Sequence, residues 1–184
     1  MAETAKGYQS VLRMQSEVNE RTVASADLYA DHRKRLTDHL ADLAPAGRDG
    51  RLCLMGAGNC NDVDLVALAG PYREIHLVDL DVAAMARAFE RQPAAVKEKL
   101  FRHGPIDLTG LLTTLDRWVK KPPPLKEIEA AIGPAVDRLC AAIPGPFDVA
   151  ASCCLSTQLA HGITSTLGVE SPVLADVRNA AATV

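Results

Sequence analysis

The apolar positions of this chain change their period near residue 50. Before it, Leu28, Leu36, Leu40 and Leu43, with His32 in the same stripe, recur at spacings of three and four, while Asp31, Arg33, Lys34 and Arg35 fall mainly elsewhere. That is the pattern of an amphipathic helix. Ser25 predicts its cap, and Pro45 with Gly47 predicts its end. The stretch 46–50, rich in glycine and charge, reads as a turn. Residues 1–50 are expected to form an N-terminal helical extension.

From Arg51 onward, short apolar runs alternate with helical stretches, the mark of βαβ units. Residues 51–56 predict a buried strand, followed by a small-residue loop and a helix over about 62–69 that Gly70 and Pro71 stop. Residues 73–81 predict a second strand, and 82–92 a helix rich in strong helix formers, interrupted by Pro93 and extended by a further turn. A third strand is expected over 100–107. The next stretch begins as loop and turns helical until Pro122, Pro123 and Pro124 break it. A helix over about 125–143 follows, then a turn at Pro144, Gly145 and Pro146 and a fourth strand over 147–154. The remainder is loop and helix, with Pro172 suited to a helix start.

The first strand runs into Gly56-Ala57-Gly58-Asn59-Cys60-Asn61-Asp62. Glycines where a strand opens a helix let backbone N–H groups approach a ligand, because a Cβ there would collide with it. About twenty residues on, the second strand ends in Asp79, whose carboxylate can accept from both hydroxyls of a ribose. Asp107, ending the third strand, can accept from an adenine amino group if the three strands are neighbours with their carboxyl ends on one edge. A tight βα turn plus a helix-start aspartate is the plainer reading of the same residues.

Taken together, these residues resemble the class I S-adenosylmethionine-dependent methyltransferases. The resemblance covers about residues 50–160. It implies a three-layer, Rossmann-like α/β fold with a mainly parallel sheet, a helical lid over 1–50 and a cofactor domain over 51–184 with a helical insertion over about 109–146. It implies that Gly56, Ala57 and Gly58 hold the methionine moiety, Asp79 and Leu80 the ribose, and Asp107 and Leu108 the adenine. The Phe147-Asp148 strand would bring Ser152 beside the methyl group. The implied cofactor is S-adenosylmethionine, the implied activity methyl transfer to an undetermined small-molecule acceptor. Two positions depart from the family: its acid two residues before the first glycine is Leu54 here, and its third glycine is Cys60. These departures support a second reading, a degenerate member that binds a nucleoside or mediates assembly without catalysis. A nicotinamide-dinucleotide oxidoreductase is a third, less favoured, because Asn61 replaces the third glycine of its phosphate loop and the Asp62 carboxylate would repel a pyrophosphate.

Methyl transfer needs no obligatory acid or base, so no catalytic residue is assigned. Cys153 and Cys154 are either nucleophiles or buried small hydrophobes, and His161 is either a base or a structural histidine. Tyr29 and Arg33 lie one turn apart on the expected lid helix. Trp118 and the triple proline either cap an acceptor pocket or belong to a surface helix pair, with Lys120 and Lys121 as solvated charge. Asp62 reads as a helix N-terminal residue serving the dipole.

Composition narrows the classes. Of 184 residues 48% are hydrophobic and 23% charged, with net charge -3, which suits one globular domain burying about 70% of its unfolded surface. Twenty basic against 23 acidic residues give no field to attract nucleic acid or anionic lipid. No run of about 18 apolar residues predicts a membrane span, and no CxxC pair or paired histidines predict a metal site. The five unevenly spaced cysteines suit a reducing, cytoplasmic compartment. The family's sheet has seven strands ordered 3-2-1-4-5-7-6, and only four are legible. The last three are therefore expected to be lacking, and the fourth strand, apolar on both faces, would lie at an open edge and invite a partner or a homo-oligomer.

Overall fold

A computed structural model of the chain describes residues 6–47, 49–153, 163–164 and 166–181. These divide into two compact units, one formed by residues 15–106 and 145–155, the other by residues 1–14, 107–144 and 156–184. The division cuts across the helix α1 (Lys6–Arg21) rather than falling at residue 50.

The first unit is α/β. It holds a parallel sheet of four strands, β1 (Gly50–Met55), β2 (Tyr72–Val78), β3 (Leu100–His103) and β4 (Val149–Ser152), in the order β3-β2-β1-β4. Leu52 lies in register with Ile75 and Val149, and Leu54 with Leu77 and Ala151, while Ile75 pairs with Leu100. In-register neighbours share a sheet face, so these aliphatic side chains form one continuous sheet of core. Against it pack Leu40 and half-buried Leu36 of α2 (Ala30–Asp42), Leu65 and Leu68 of α3 (Leu65–Leu68), Met85 and Ala88 of α4 (Val82–Glu90), and Val96 of α5 (Ala94–Lys97). Leu54 is fully buried there; an acid at this position would be a charge in an apolar core.

Several boundaries differ from the sequence expectations for physical reasons. The expected helix capped by Ser25 is a 3-10 turn over Ser25–Tyr29 followed by α2, and no side chain caps either. A 3-10 turn has about three residues per turn, so Leu28 on it loses phase with the buried Leu40 and is 80% exposed, while Leu43, at the C-cap of α2, is 50% exposed. Asp64, not Asp62, caps α3, accepting from the N–H groups of Val66 and Ala67, which shortens that helix. The third strand ends at His103, four residues before Asp107. Gly104 and Pro105 follow, and a proline has no N–H for the ladder. The fourth strand is buried on one side only: Val149 and Ala151 pack on the core, whereas Ala150 and Ser152 are exposed. Among the described residues β4 pairs with β1 alone.

The second unit is helical among its described residues. Its elements are the first half of α1, α6 (Leu112–Lys120), α7 (Leu125–Ala142) and α8 (Pro172–Ala181). Leu115, Trp118, Ile128, Val173 and Val177 are buried. Pro172 begins α8, as expected. No helix among the described residues is long and apolar enough to cross a membrane.

Candidate active site at the carboxyl edge of β1

The sheet order makes β1 a switch point, with β2 and β3 to one side and β4 to the other, and open α/β sheets bind ligands at the carboxyl end of such a point. There the chain leaves β1 through a turn in which Gly56, Gly58 and Cys60 have φ of 73°, 47° and 53°. Left-handed backbone is free to glycine and costs other residues about 1–2 kcal/mol. Cys60 therefore adopts the conformation a third glycine would take, held by the burial of its side chain in the core.

Asp79 stands directly after β2 and is 6% exposed. One carboxylate oxygen accepts from the N–H of Gly58 at 2.8 Å and the other from the N–H of Asp81 at 2.7 Å. Burial raises its pKa above the ordinary carboxylate range, opposed by the backbone donors of Asp81 and Gly58. Asp81 in turn caps α4 through Ala84 N–H at 3.0 Å. Leu80 between them is buried.

A network not legible in the sequence holds the turn from the outside. Asn19, on the C-terminal half of α1, donates to Asp81 at 2.9 Å, and its backbone oxygen accepts from the Asn59 side chain at 2.6 Å. The Asn59 amide oxygen accepts from Arg87 at 3.3 Å, and its backbone oxygen accepts from Arg91 at 2.6 Å. A Cβ added to Gly58 would lie 3.1 Å from the Asn19 amide oxygen. The spacing of Arg87 and Arg91, one helical turn apart, is the only sequence signal for this clamp.

The other expected residues fall as follows. Ala57 is buried beside the turn, and Ala57 N–H donates to Val78. Ser152 ends β4 in register with Met55, with an exposed side chain. Cys153 is buried, and its N–H donates to Met55 at 2.9 Å. Burial pushes the Cys60 thiol well above its ordinary range, and Cys153 adds to the shift, which suits a buried hydrophobe rather than a nucleophile at Cys60. Asp148 is committed to the N–H of Arg51 at 2.8 Å. Tyr29 is half exposed. Asp62 lies 3.8 Å from His32. Cys154 and His161 lie outside the described residues.

Asp107 and Leu108 belong to the helical unit. The Asp107 carboxylate accepts from Thr109 N–H at 2.9 Å, Thr109 hydroxyl at 2.6 Å and Leu112 N–H at 2.9 Å. It fastens the turn that leads into α6. Trp118 is fully buried in that unit, its indole N–H 3.4 Å from Glu127, and Lys120 and Lys121 are exposed. Among the described residues no three His, Cys, Asp or Glu side chains converge as a metal site.

Comparison of the chain with protein-family models, with characterised proteins and with solved structures finds no significant match.

Proposed function

We propose that the protein is an S-adenosylmethionine-dependent methyltransferase acting on a small-molecule acceptor. The observation that carries this reading is the Gly56–Cys60 turn at the switch point, with three left-handed residues and its central N–H fastened to Asp79. A buried carboxylate at the end of β2 suits the hydroxyls of a ribose, and the order β3-β2-β1-β4 equals the first part of the strand order the resemblance implies. Gly56, Ala57 and Gly58 would hold the methionine moiety and Asp79 with Leu80 the ribose, with Ser152 beside the methyl group. The cofactor, when bound, supplies an electrophilic methyl group on a sulfonium. The chain's own contribution is to position the acceptor and keep water away.

A second reading, a nucleoside-binding or assembly protein without catalysis, rests on one observation: the Asn19 side chain lies against Gly58, where the bare glycine leaves room.

Titration calorimetry with S-adenosylmethionine and with NAD separates these readings. The expected result is saturable S-adenosylmethionine binding that Asp79→Ala weakens at least about tenfold, that is by about 1.4 kcal/mol. Absence of binding below about 1 mM would sink the proposal. Binding without methyl transfer to a broad acceptor panel favours the second reading.

A further inference from the structure

The end of α1 is fastened by side chains of the candidate site. The last carbonyls of a helix have no partner within it, and three carbonyls at and just past the end of α1 find theirs across the fold. Asn19 O accepts from Asn59 Nδ2 at 2.6 Å, Thr22 O from Asn61 Nδ2 at 2.7 Å and Val23 O from Arg91 Nη1 at 2.9 Å. Asn59 and Asn61 flank Cys60 in the turn after β1, so the turn itself supplies two of the three donors. The contact also runs the other way: the Asn19 side chain donates to Asp81 at 2.9 Å, and its amide oxygen lies against Gly58.

Asn59 joins three segments and is 4% exposed. Its side-chain nitrogen bonds to α1, its side-chain oxygen accepts from Arg87 of α4 at 3.3 Å, and its backbone oxygen accepts from Arg91 at 2.6 Å. Its neighbours Gly58 and Cys60 are both left-handed. A strained residue such as Cys60 persists only where its surroundings over-determine it, and a turn held in one form is preorganised for a ligand. Because the turn and the end of α1 share hydrogen bonds, opening one leaves polar groups of the other unpaired.

We propose that Asn59 is a positioning residue for the candidate site. Through it, the docking of residues 19–23 and the ligand-ready form of the Gly56–Cys60 turn are one equilibrium: a ligand on the turn tightens the end of α1, and a loosened end of α1 weakens the ligand. Linkage of this kind is reciprocal. The ligand, S-adenosylmethionine, rests on the function proposed above; the coupling itself does not.

The test is amide hydrogen exchange of the full chain, followed by NMR with and without S-adenosylmethionine. The N–H groups of Gly58 and Cys60, bonded to Asp79 and to Ala57 O, report on the turn, and those of Thr22 and Ser25, bonded to Val18 O and Thr22 O, on the end of α1. Leu77, in the middle of β2, is the control. Asn59→Asp keeps the size of the side chain and the acceptor for Arg87 but removes the donor to α1. Without ligand it should speed exchange at Thr22 and at Cys60 together, each at least about tenfold, with Leu77 unchanged. In the parent chain, saturating S-adenosylmethionine should slow exchange at Thr22 and Ser25 at least about fivefold, and Asn59→Asp should lose that slowing and bind about fivefold or more weakly. A fast end of α1 beside an unchanged turn, equal acceleration at Leu77, or bound ligand that leaves Thr22 and Ser25 unaffected would overturn the coupling. Where Asn59→Asp does not fold, Asn61→Ala, which removes the second donor to α1, is read in the same way. A parent chain that binds no S-adenosylmethionine sinks the methyltransferase reading alone, since exchange in the free protein still decides the coupling.

Discussion

The backbone N–H of Gly58 donates to the Asp79 carboxylate at 2.8 Å, which ties the turn after β1 to the first residue beyond β2 across the carboxyl edge of the sheet. One side chain thus shapes the turn that leaves β1. The structural role of Asp79 and the ribose-binding role proposed for it can be measured separately.

Replacing Asp79 by Ala leaves the N–H groups of Gly58 and Asp81 without an acceptor in a buried place. Each unsatisfied buried donor costs about 1–3 kcal/mol, and release of the burial strain on the carboxylate offsets part of this. The expected net loss is about 2–4 kcal/mol in urea unfolding. A loss under about 0.5 kcal/mol would show that the turn does not depend on this carboxylate.

At Cys60 two effects oppose each other. Cys60→Gly relieves a left-handed residue by about 1–2 kcal/mol and gives up a small buried side chain worth about 1 kcal/mol. The variant should unfold within about 1 kcal/mol of the parent. Cys60→Val adds a β-branched side chain to the same φ of 53° and should lose more than about 2 kcal/mol. Equal stability of the two variants would contradict the strained-turn account.

Gly104 is required by close approach. A Cβ there would lie 2.5 Å from Met85 Cε and 2.8 Å from the backbone oxygen of Asp79. The methionine can move and the backbone cannot, so Gly104→Ala should cost about 1–3 kcal/mol, read as a lowered Tm by calorimetry. An unchanged Tm would show that the strand end has slack.

The sheet face opposite the core carries a hydrogen-bonded chain. His76 Nε2 is 3.2 Å from Glu74, and His76 Nδ1 is 2.9 Å from His103 Nε2. His76 Nε2 also lies 3.4 Å from Arg51 Nη2, so its tautomer decides whether it donates to the carboxylate or accepts from the guanidinium. His76 also stacks on Phe101 and meets Phe147 edge-on, with Arg51 bonded to Glu74 at 2.6 Å. Burial lowers the pKa of both histidines, and for His103 the neighbouring His76 lowers it further. A depressed folded-state value means that the unfolded chain takes up protons first on acidification. Stability should therefore fall as pH drops from about 7 through the ordinary histidine value of about 6.5. The lowered pKa of Glu74, held down chiefly by its hydrogen bond from Arg51, extends the loss to lower pH. In a double variant His76→Gln, His103→Gln, the slope of unfolding free energy against pH between about 7 and 5 should flatten; an unaltered slope would place the titration elsewhere.

Much of the α/β unit was legible in advance. The apolar runs of β1 and β2, the alanine-rich α4 and the Gly56–Gly58 turn carry local signals, because a buried parallel strand, a strong helix former and a left-handed turn each demand particular residue types. The phase of the N-terminal helices was not legible, since a 3-10 turn at Ser25–Tyr29 is set by what the flanking helices pack against. Asn19 and Asn59 carried no signal, being ordinary polar residues 40 positions apart that meet only in the fold.

The sequence by itself determined the α/β class, the alternation of strand and helix, and the position of the turn between β1 and Asp79. Tertiary structure alone decided the strand order, the clamp of Asn19 and the arginines on Asn59, and the commitment of Asp107 to the start of α6. The reason is physical: backbone conformation and burial are dictated largely by the nature of each residue and its near neighbours, whereas hydrogen bonds and cavities depend on which distant residues the packed core brings within reach.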